Sequence, residues 1–209
     1  MNSELIERLK GLSTPHLADA CLRTGVAVRC APVALRPIGS TMRCAGRVRP
    51  ARHVGSVDVF LEALEAAERG DVLVVDNGGR VDEACVGDLV TLEVGNAGLA
   101  GIVIWGLHRD TLELLEIGLP VFSLGTLPTG PQRLDRRSPD VLAWARVGDW
   151  VVSPDDVVAC DADGAVFLPS TRLAEVVQIA EMIRTMERRQ AGEMRAGRSF
   201  RPKFALGLS

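Results

Sequence analysis

The chain is poor in the residues on which many enzymes build covalent or thiolate chemistry. Of its 209 residues only two are lysine, Lys10 and Lys203, and both stand in terminal segments. A covalent imine mechanism needs a desolvated lysine in its pocket, so that route is disfavoured. There are three histidines (His16, His53, His108), and none has the spacing of a zinc-binding HExxH pair. The five cysteines, Cys21, Cys30, Cys44, Cys85 and Cys160, are odd in number, scattered and without a CxxC pair. They therefore indicate neither a disulfide framework nor a thiolate zinc site, and read as buried free thiols. A metal here would be held by oxygen, which points to Mg²⁺ or Mn²⁺ rather than Zn²⁺. No apolar run approaches the ~18 residues of a membrane helix. The N-terminus lacks the basic-then-apolar pattern of a secretory signal, so the expectation is a cytoplasmic protein with no membrane partner. A formal charge of −3 supplies no basic footprint, and nucleic acid is not an expected partner. Repeats, low-complexity tracts and linkers are also missing, which leaves one domain spanning 1–209.

What is present is an alternation of apolar runs and amphipathic stretches. Glu4 to Leu12 reads as a short helix, and Thr14-Pro15 as an N-cap with proline opening a second helix that closes near Gly25. Thr41 to Pro50 resembles a strand, and Ser56 is placed to cap a helix from Val57 to Glu68. Asp71 to Asp76 and Gly101 to Ile104 are buried-strand runs. Between them Asp82 is expected to cap a helix turning Val86, Leu89, Val90 and Val94 inward. Asp110 stands in cap position for a helix Thr111 to Ile117, followed by a strand Pro120 to Ser123. This order argues for an α/β fold with a central, mainly parallel sheet. Short strands then follow, at Trp150 to Val152, Val157 to Cys160 and Ala165 to Leu168, with a tight turn at Asp163-Gly164. Ser170 caps a long closing helix to about Arg189, and the apolar end of the tail (Phe200, Phe204, Leu206) suits a subunit contact for segment 170–209.

Asp88, Arg109 and Asp110 carry the chemistry. The Arg-Asp pair follows the run Gly101 to Ile104, at the C-terminal end of a buried strand, where open α/β sheets place ligands. Two carboxylates and a guanidinium brought together there can hold a divalent cation beside an anionic substrate. Taken singly, each residue has a plainer reading. Asp88 reads as a solvated first-turn residue, Asp110 as a helix cap, and the Arg-Asp pair as a surface ion pair.

The chain resembles the RraA-like family, which includes the class II 4-hydroxy-4-methyl-2-oxoglutarate aldolases. The resemblance runs from about Thr14 to Gly197. It rests on Thr14-Pro15-His16-Leu17-Ala18-Asp19-Ala20, Gly70 to Asp76, Gly87-Asp88-Leu89-Val90, Gly106-Leu107-His108-Arg109-Asp110, Gly125 to Pro131 and Asp161 to Val166. Asp88, twenty intervening residues, Arg109 and Asp110 match the aldolases' acid-x20-Arg-Asp signature. Two positions depart from it: Trp105 stands where many relatives carry an acid, and His108 where an aliphatic residue is common.

The resemblance implies a swivelling β/β/α domain with helices flanking the sheet, assembled as a homotrimer or homohexamer. It implies cleavage of a carbon–carbon bond in 4-hydroxy-4-methyl-2-oxoglutarate-type α-keto acids to give pyruvate, with oxaloacetate decarboxylation as a related activity. In that scheme Asp110 is the direct ligand of Mg²⁺ or Mn²⁺, and Arg109 grips the substrate and counters enolate charge. Asp88 orients water, and the backbone of Gly87, Asp88, Leu89 and Val90, at a helix start, receives a carboxylate. His108 is open between a structural role and a substrate contact. Asp19 is expected to cap or face solvent, and Glu187 or Glu193 could reach a neighbouring subunit's site. Some RraA-like members instead bind and inhibit a ribonuclease, and these tend to lack the acid after the arginine. A methyltransferase reading has only Asp76-Asn77-Gly78-Gly79 behind it, without GxGxxG spacing.

Overall fold

The structure, a computed structural model, describes residues 3–198. The apolar tail segment expected to meet another subunit lies outside the described residues. In chain order the helices are α1 (Ser3–Lys10), α2 (Thr14–Thr24), α3 (Asp58–Glu65), α4 (Asp88–Asn96), α5 (Thr111–Ile117) and α6 (Leu173–Arg195). The strands are β1 (Arg29–Cys30), β2 (Arg36–Pro37), β3 (Cys44–Arg52), β4 (Val72–Asp76), β5 (Ala84–Val86), β6 (Gly101–Trp105), β7 (Leu107–His108) and β8 (Val121–Ser123). They continue with β9 (Ala145–Val147), β10 (Trp150–Val152), β11 (Asp156–Asp161) and β12 (Gly164–Pro169).

Eight strands form one mixed sheet in the order β1-β12-β11-β3-β4-β6-β8-β2. The centre, β3-β4-β6-β8, is parallel and comes from the βα alternation legible in the sequence. Antiparallel pairs extend it on both sides. Alternate residues of each central strand serve opposite faces. Leu73, Val75, Ile102 and Ile104 pack against Phe60 of α3, Val90 and Val94 of α4 and Leu114 of α5. Val72, Val74, Val103 and Phe122 face inward, where they meet Val158 and Phe167 of the other wing and the β9-β10 hairpin. The sheet curls around that shared core. Helices α1, α2 and α6 cover the outer side of β11 and β12 through Leu9, Leu17, Val176, Val177 and Ile183. No helix among the described residues is long and apolar enough to cross a membrane.

Several helix starts differ from the expectation. Ser13, not Thr14, is the N-cap of α2, accepting from the His16 amide, and Thr14 instead donates from its amide and hydroxyl to buried Asp161. Pro15 is accordingly the second helical residue, one position later than expected but still in the first turn, and Gly25 closes α2 in the left-handed region. Ser56 accepts from the Asp58 amide, one position away from true cap geometry. Ser170 begins a 3-10 turn to Arg172 before α6. Asp19 faces solvent.

The larger correction concerns residues 82–90. No helix starts at Asp82. Ala84-Cys85-Val86 is a fully buried strand, and α4 begins only at Asp88, with Gly87 as its N-cap. Three consecutive buried apolar residues carry no period, so strand and helix were not separable until a partner strand appeared. That partner is β7, inside the segment expected to be a turn. Leu89 consequently points outward, 72% exposed, while Val90 and Val94 are buried as expected.

Candidate active site at the N-terminus of α4

The short parallel pair β5-β7 explains the acid-x20-Arg-Asp spacing. Val86 is paired with His108, twenty-two positions on, and the Arg109 amide donates to the Val86 carbonyl at 3.0 Å. Asp110 follows Asp88 by the same interval, so the register carries both past the strand ends together. Asp110 Oδ2 accepts from the Asp88 amide at 3.3 Å and lies 3.4 Å from Arg109 Nε. The three sequence-flagged side chains are therefore one constellation.

Asp110 does not cap its own helix with its side chain. It holds φ 60°, ψ 43°, the left-handed region, and is the sole non-glycine residue with positive φ among the described residues. Asp tolerates this conformation better than most residues, yet strain of ~1–3 kcal/mol is usual for such outliers and they cluster at sites. The geometry turns the carboxylate away from α5 and onto the first turn of α4. Gly87 makes room for it: a Cβ there would stand 2.3 Å from Asp110 Oδ2 and 3.2 Å from Arg109 Nε. The glycine is required for space, since its φ of −133° suits any residue.

Two members of the constellation, Asp88 and Arg109, line a cavity of about 530 Å³ together with Gly87, Glu93, Val57, Leu61, Leu89, Val90 and Pro131, and Asp110 stands just behind that lining. Arg109 is half-exposed, at 48% for its side chain, so its ion pair with Asp110 is weak in water and easily shared with an incoming anion. Gly130 sits against its guanidinium, where a Cβ would come within 3.1 Å of Nη1. Cys85 lines the cavity too, but burial pushes its thiol up to about 12 and it donates to the Leu107 carbonyl, so it is no nucleophile at neutral pH.

The expected anion cradle is partly filled by the protein's own acids. The Asp88 amide is taken by Asp110, and the Leu89 amide donates to Asp88 Oδ1 at 2.8 Å. Two carboxylates beside one guanidinium leave the loop mouth net negative, while the α4 dipole offsets only about half a charge. An anionic substrate entering here would meet like charge, and a divalent cation would reverse that balance. The donor set fits such an ion. Asp110 is a hard oxygen donor, about one-third exposed, whose Oδ1 takes part in no hydrogen bond or ion pair among the described residues. Among those residues no group of three or more potential ligands gathers, so water would complete the shell, as Mg²⁺ commonly requires.

His108 is structural. Both ring nitrogens are engaged, Nδ1 with Ser123 Oγ at 2.7 Å and Nε2 with Thr111 Oγ1 at 3.0 Å, and burial lowers its pKa. It ties β7 to β8 and to the start of α5. Trp105 packs over Gly79, the turn glycine after β4. Glu187 is engaged by His16 Nε2 at 3.1 Å, and Glu193 lies 4.0 Å from Arg189.

One group was not anticipated. Glu83, just before β5, is buried and accepts from Arg133 Nε at 3.0 Å. Arg133 Nη2 reaches Asn77 Oδ1 at 2.8 Å, and Asn77 Oδ1 also meets His53 Nδ1 at 3.0 Å. His53 stacks on Phe60, and burial lowers its pKa. The network fastens segment 129–133 along β5, where the Ala84 amide donates to the Thr129 carbonyl, and so supports the wall touching Arg109. Asn77 thus has a structural role in the turn that superficially suggested a nucleotide loop. No periodicity signals such a network, although a buried Glu needs a cationic partner.

Comparison with known proteins agrees with this architecture. The family model described as RraA-like, Aldolase/RraA, matches residues 14–167. The chain belongs to the RraA-like family. It is 31% identical over 138 residues to a protein of Thermus thermophilus named 4-hydroxy-4-methyl-2-oxoglutarate aldolase, covering 66% of this chain and 83% of the relative. A solved structure of an uncharacterized Pseudomonas syringae protein superposes with TM-score 0.83 at 25% identity, over 95% of this chain and 96% of that one. Streptomyces coelicolor RraAS2, described as an unusual member of the RNase ES inhibitor RraA protein family, gives TM-score 0.80 at 27% identity over 91% and 97%. This RraA-like chain therefore shares its fold with proteins named for two different activities.

Proposed function

We propose that this protein is a divalent-metal-dependent lyase that cleaves 4-hydroxy-4-methyl-2-oxoglutarate-type keto acids to pyruvate, and that it also decarboxylates oxaloacetate. The observation that carries this reading is the convergence of Asp88, Arg109 and Asp110 at the first turn of α4, beside a cavity that Asp88 and Arg109 line. The relative named as an aldolase supports the same reaction class.

In retro-aldol cleavage the substrate's C4 hydroxyl loses its proton and the C3–C4 bond breaks. Its electron pair leaves one half as the enolate of pyruvate, which takes a proton at carbon, while the other half departs as pyruvate. When bound at Asp110, Mg²⁺ or Mn²⁺ would supply Lewis-acid stabilisation to the keto and carboxylate oxygens. Arg109, with its planar fork, binds the carboxylate and faces the oxygen on which charge develops. Asp88 Oδ1 is tied to the Leu89 amide, which leaves Oδ2 as the atom that receives the hydroxyl proton, directly or through water. Val57, Leu61 and Pro131 give the cavity apolar lining for the substrate's carbon skeleton. Decarboxylation of oxaloacetate passes through the same enolate, so one arrangement serves both. We further expect a homotrimer or homohexamer.

The test is pyruvate release by the purified chain with Mg²⁺, with EDTA and as the Asp110→Asn variant. Asn also tolerates the left-handed backbone, so the variant removes charge without adding strain. The reading expects EDTA-sensitive turnover that Asp110→Asn abolishes. The likeness to RraAS2 supports a second reading, a non-catalytic ribonuclease regulator. Absence of turnover with either substrate, together with tight binding to an endoribonuclease, would establish that reading instead.

A further inference from the structure

Cys44 on β3 and Cys160 on β11 are directly opposite one another in an antiparallel pair. Directly opposed residues project to the same face, and their Cα atoms are separated by ~4.5 or ~5.5 Å depending on the hydrogen-bonding site. Both separations fall within the ~4.4–6.8 Å that a disulfide spans, and opposed Cβ atoms lie close to the span a bridge needs. Burial, and then the neighbouring Cys44, push the Cys160 thiol well above its ordinary pKa, and both residues belong to the inner core. They are free thiols.

A second observation concerns access. Cys44 and Cys160 line a cavity of about 380 Å³ whose wall includes Lys10, Thr14 and Arg43. Cys44, at 8% exposure, is the more open of the two, and Cys160 is at 3%. The pair is thus held in register by the ladder, and both residues line a cavity that a small oxidant can enter. Cys21 and Cys85 have no such arrangement on the described strands, and Cys30 is exposed on β1.

We propose that Cys44 and Cys160 form a peroxide-responsive modification site, a dithiol that closes to a cross-strand disulfide. A Cys44 thiolate attacks one peroxide oxygen, the O–O bond breaks and hydroxide leaves, giving a sulfenic acid. The Cys160 sulfur then displaces the sulfenic oxygen as a second hydroxide. With the two thiol protons the products are one disulfide and two waters. The sulfur pair gives up two electrons and the peroxide oxygens accept them. The bridge staples the antiparallel wing β1-β12-β11 to the parallel centre at β3 and closes a long loop, which restricts the unfolded chain and stabilises the native one. This site is independent of the aldolase reading.

The test uses the full chain carrying Cys30→Ser, which removes the exposed thiol. Folded protein is treated with a small excess of hydrogen peroxide, quenched, alkylated and digested without reductant. The proposal expects one dominant cross-linked peptide joining Cys44 to Cys160, reversed by dithiothreitol, and a higher urea midpoint for the oxidised form. The same treatment in urea should scatter pairings among the four remaining cysteines. Recovery of Cys44 and Cys160 as alkylated thiols, or their separate conversion to sulfinic acids, would overturn it. So would a dominant bridge involving Cys21 or Cys85.

Discussion

Gly87→Ala is the sharpest probe of the site, because one methyl group separates catalysis from stability. The new Cβ would stand 2.3 Å from Asp110 Oδ2 and 3.2 Å from Arg109 Nε. An ordinary contact is ~3.5 Å, so the carboxylate must retreat by about 1 Å, and a displacement of that size costs ~10²-fold in rate, or ~2.7 kcal/mol of barrier. Stability should barely change. The Asp88 amide loses a long hydrogen bond to Asp110, worth ~1 kcal/mol at most. Replacing glycine by alanine at an ordinary φ of −133° returns ~0.4–1 kcal/mol through the unfolded chain. For a chain of this size the net shift in Tm is expected within ~3 °C. Steady-state pyruvate release and a thermal melt measure the two quantities. A variant with unchanged kcat/KM would refute the claim that this glycine exists to admit the Asp110 carboxylate.

Arg109→Lys keeps the charge but loses the planar fork, and a drop in kcat/KM of ~10²-fold is expected; an unchanged value would rule out a bidentate contact. Arg133→Met strands buried Glu83, whose other neighbours, Arg80 Nε at 3.5 Å and His53 Nδ1 at 4.0 Å, are at ion-pair distances and make no hydrogen bond to it. Unfolding in urea should show a loss of ~3 kcal/mol, partly restored by adding Glu83→Gln, and no restoration would locate the loss elsewhere. His53 and His108 both have pKa values lowered chiefly by burial. The unfolded side chains titrate near ~6.5, so between that value and the lower folded ones the unfolded state binds more protons. Stability should then fall as pH drops below ~6.5 and level off above it. Imidazole NMR shifts should show both residues titrating with midpoints below ~6.5, and a midpoint at or above that value for either would contradict the burial argument.

The charged residues of the candidate site were legible in the sequence, whereas the element that aligns them was not. Asp88, Arg109 and Asp110 stand out as charges at the ends of apolar runs, and the structure brings all three together. The β5-β7 pair escaped because its strands are two and three residues long, and Ala84-Cys85-Val86 has no period to distinguish strand from helix. The parallel centre of the sheet was legible because Val72 to Val75 and Gly101 to Ile104 are continuous apolar runs buried on both faces. Of its antiparallel extensions the β11-β12 hairpin was legible from the Asp163-Gly164 turn, whereas β1 and β2 are two-residue pieces defined only by their partners. The left-handed conformation of Asp110 was equally hidden: cap position is a statement about sequence, and the side chain turned to a different helix.

That rotation of Asp110 bears on why one scaffold carries names for both an aldolase and a ribonuclease inhibitor. With the carboxylate in place, the first turn of α4 has two acids against one arginine, an excess that a cation can neutralise and an anionic substrate then exploits. Remove it, and Asp88 and Arg109 balance. The Asp88 amide is released, and the helix start becomes an unfilled donor site suited to recognition rather than to charge stabilisation. The side chain's interactions in the fold are local, a 3.3 Å hydrogen bond from the Asp88 amide and an ion pair with Arg109. A single acid in the left-handed region thus decides whether the first turn of α4 presents a cation-binding carboxylate or free backbone donors.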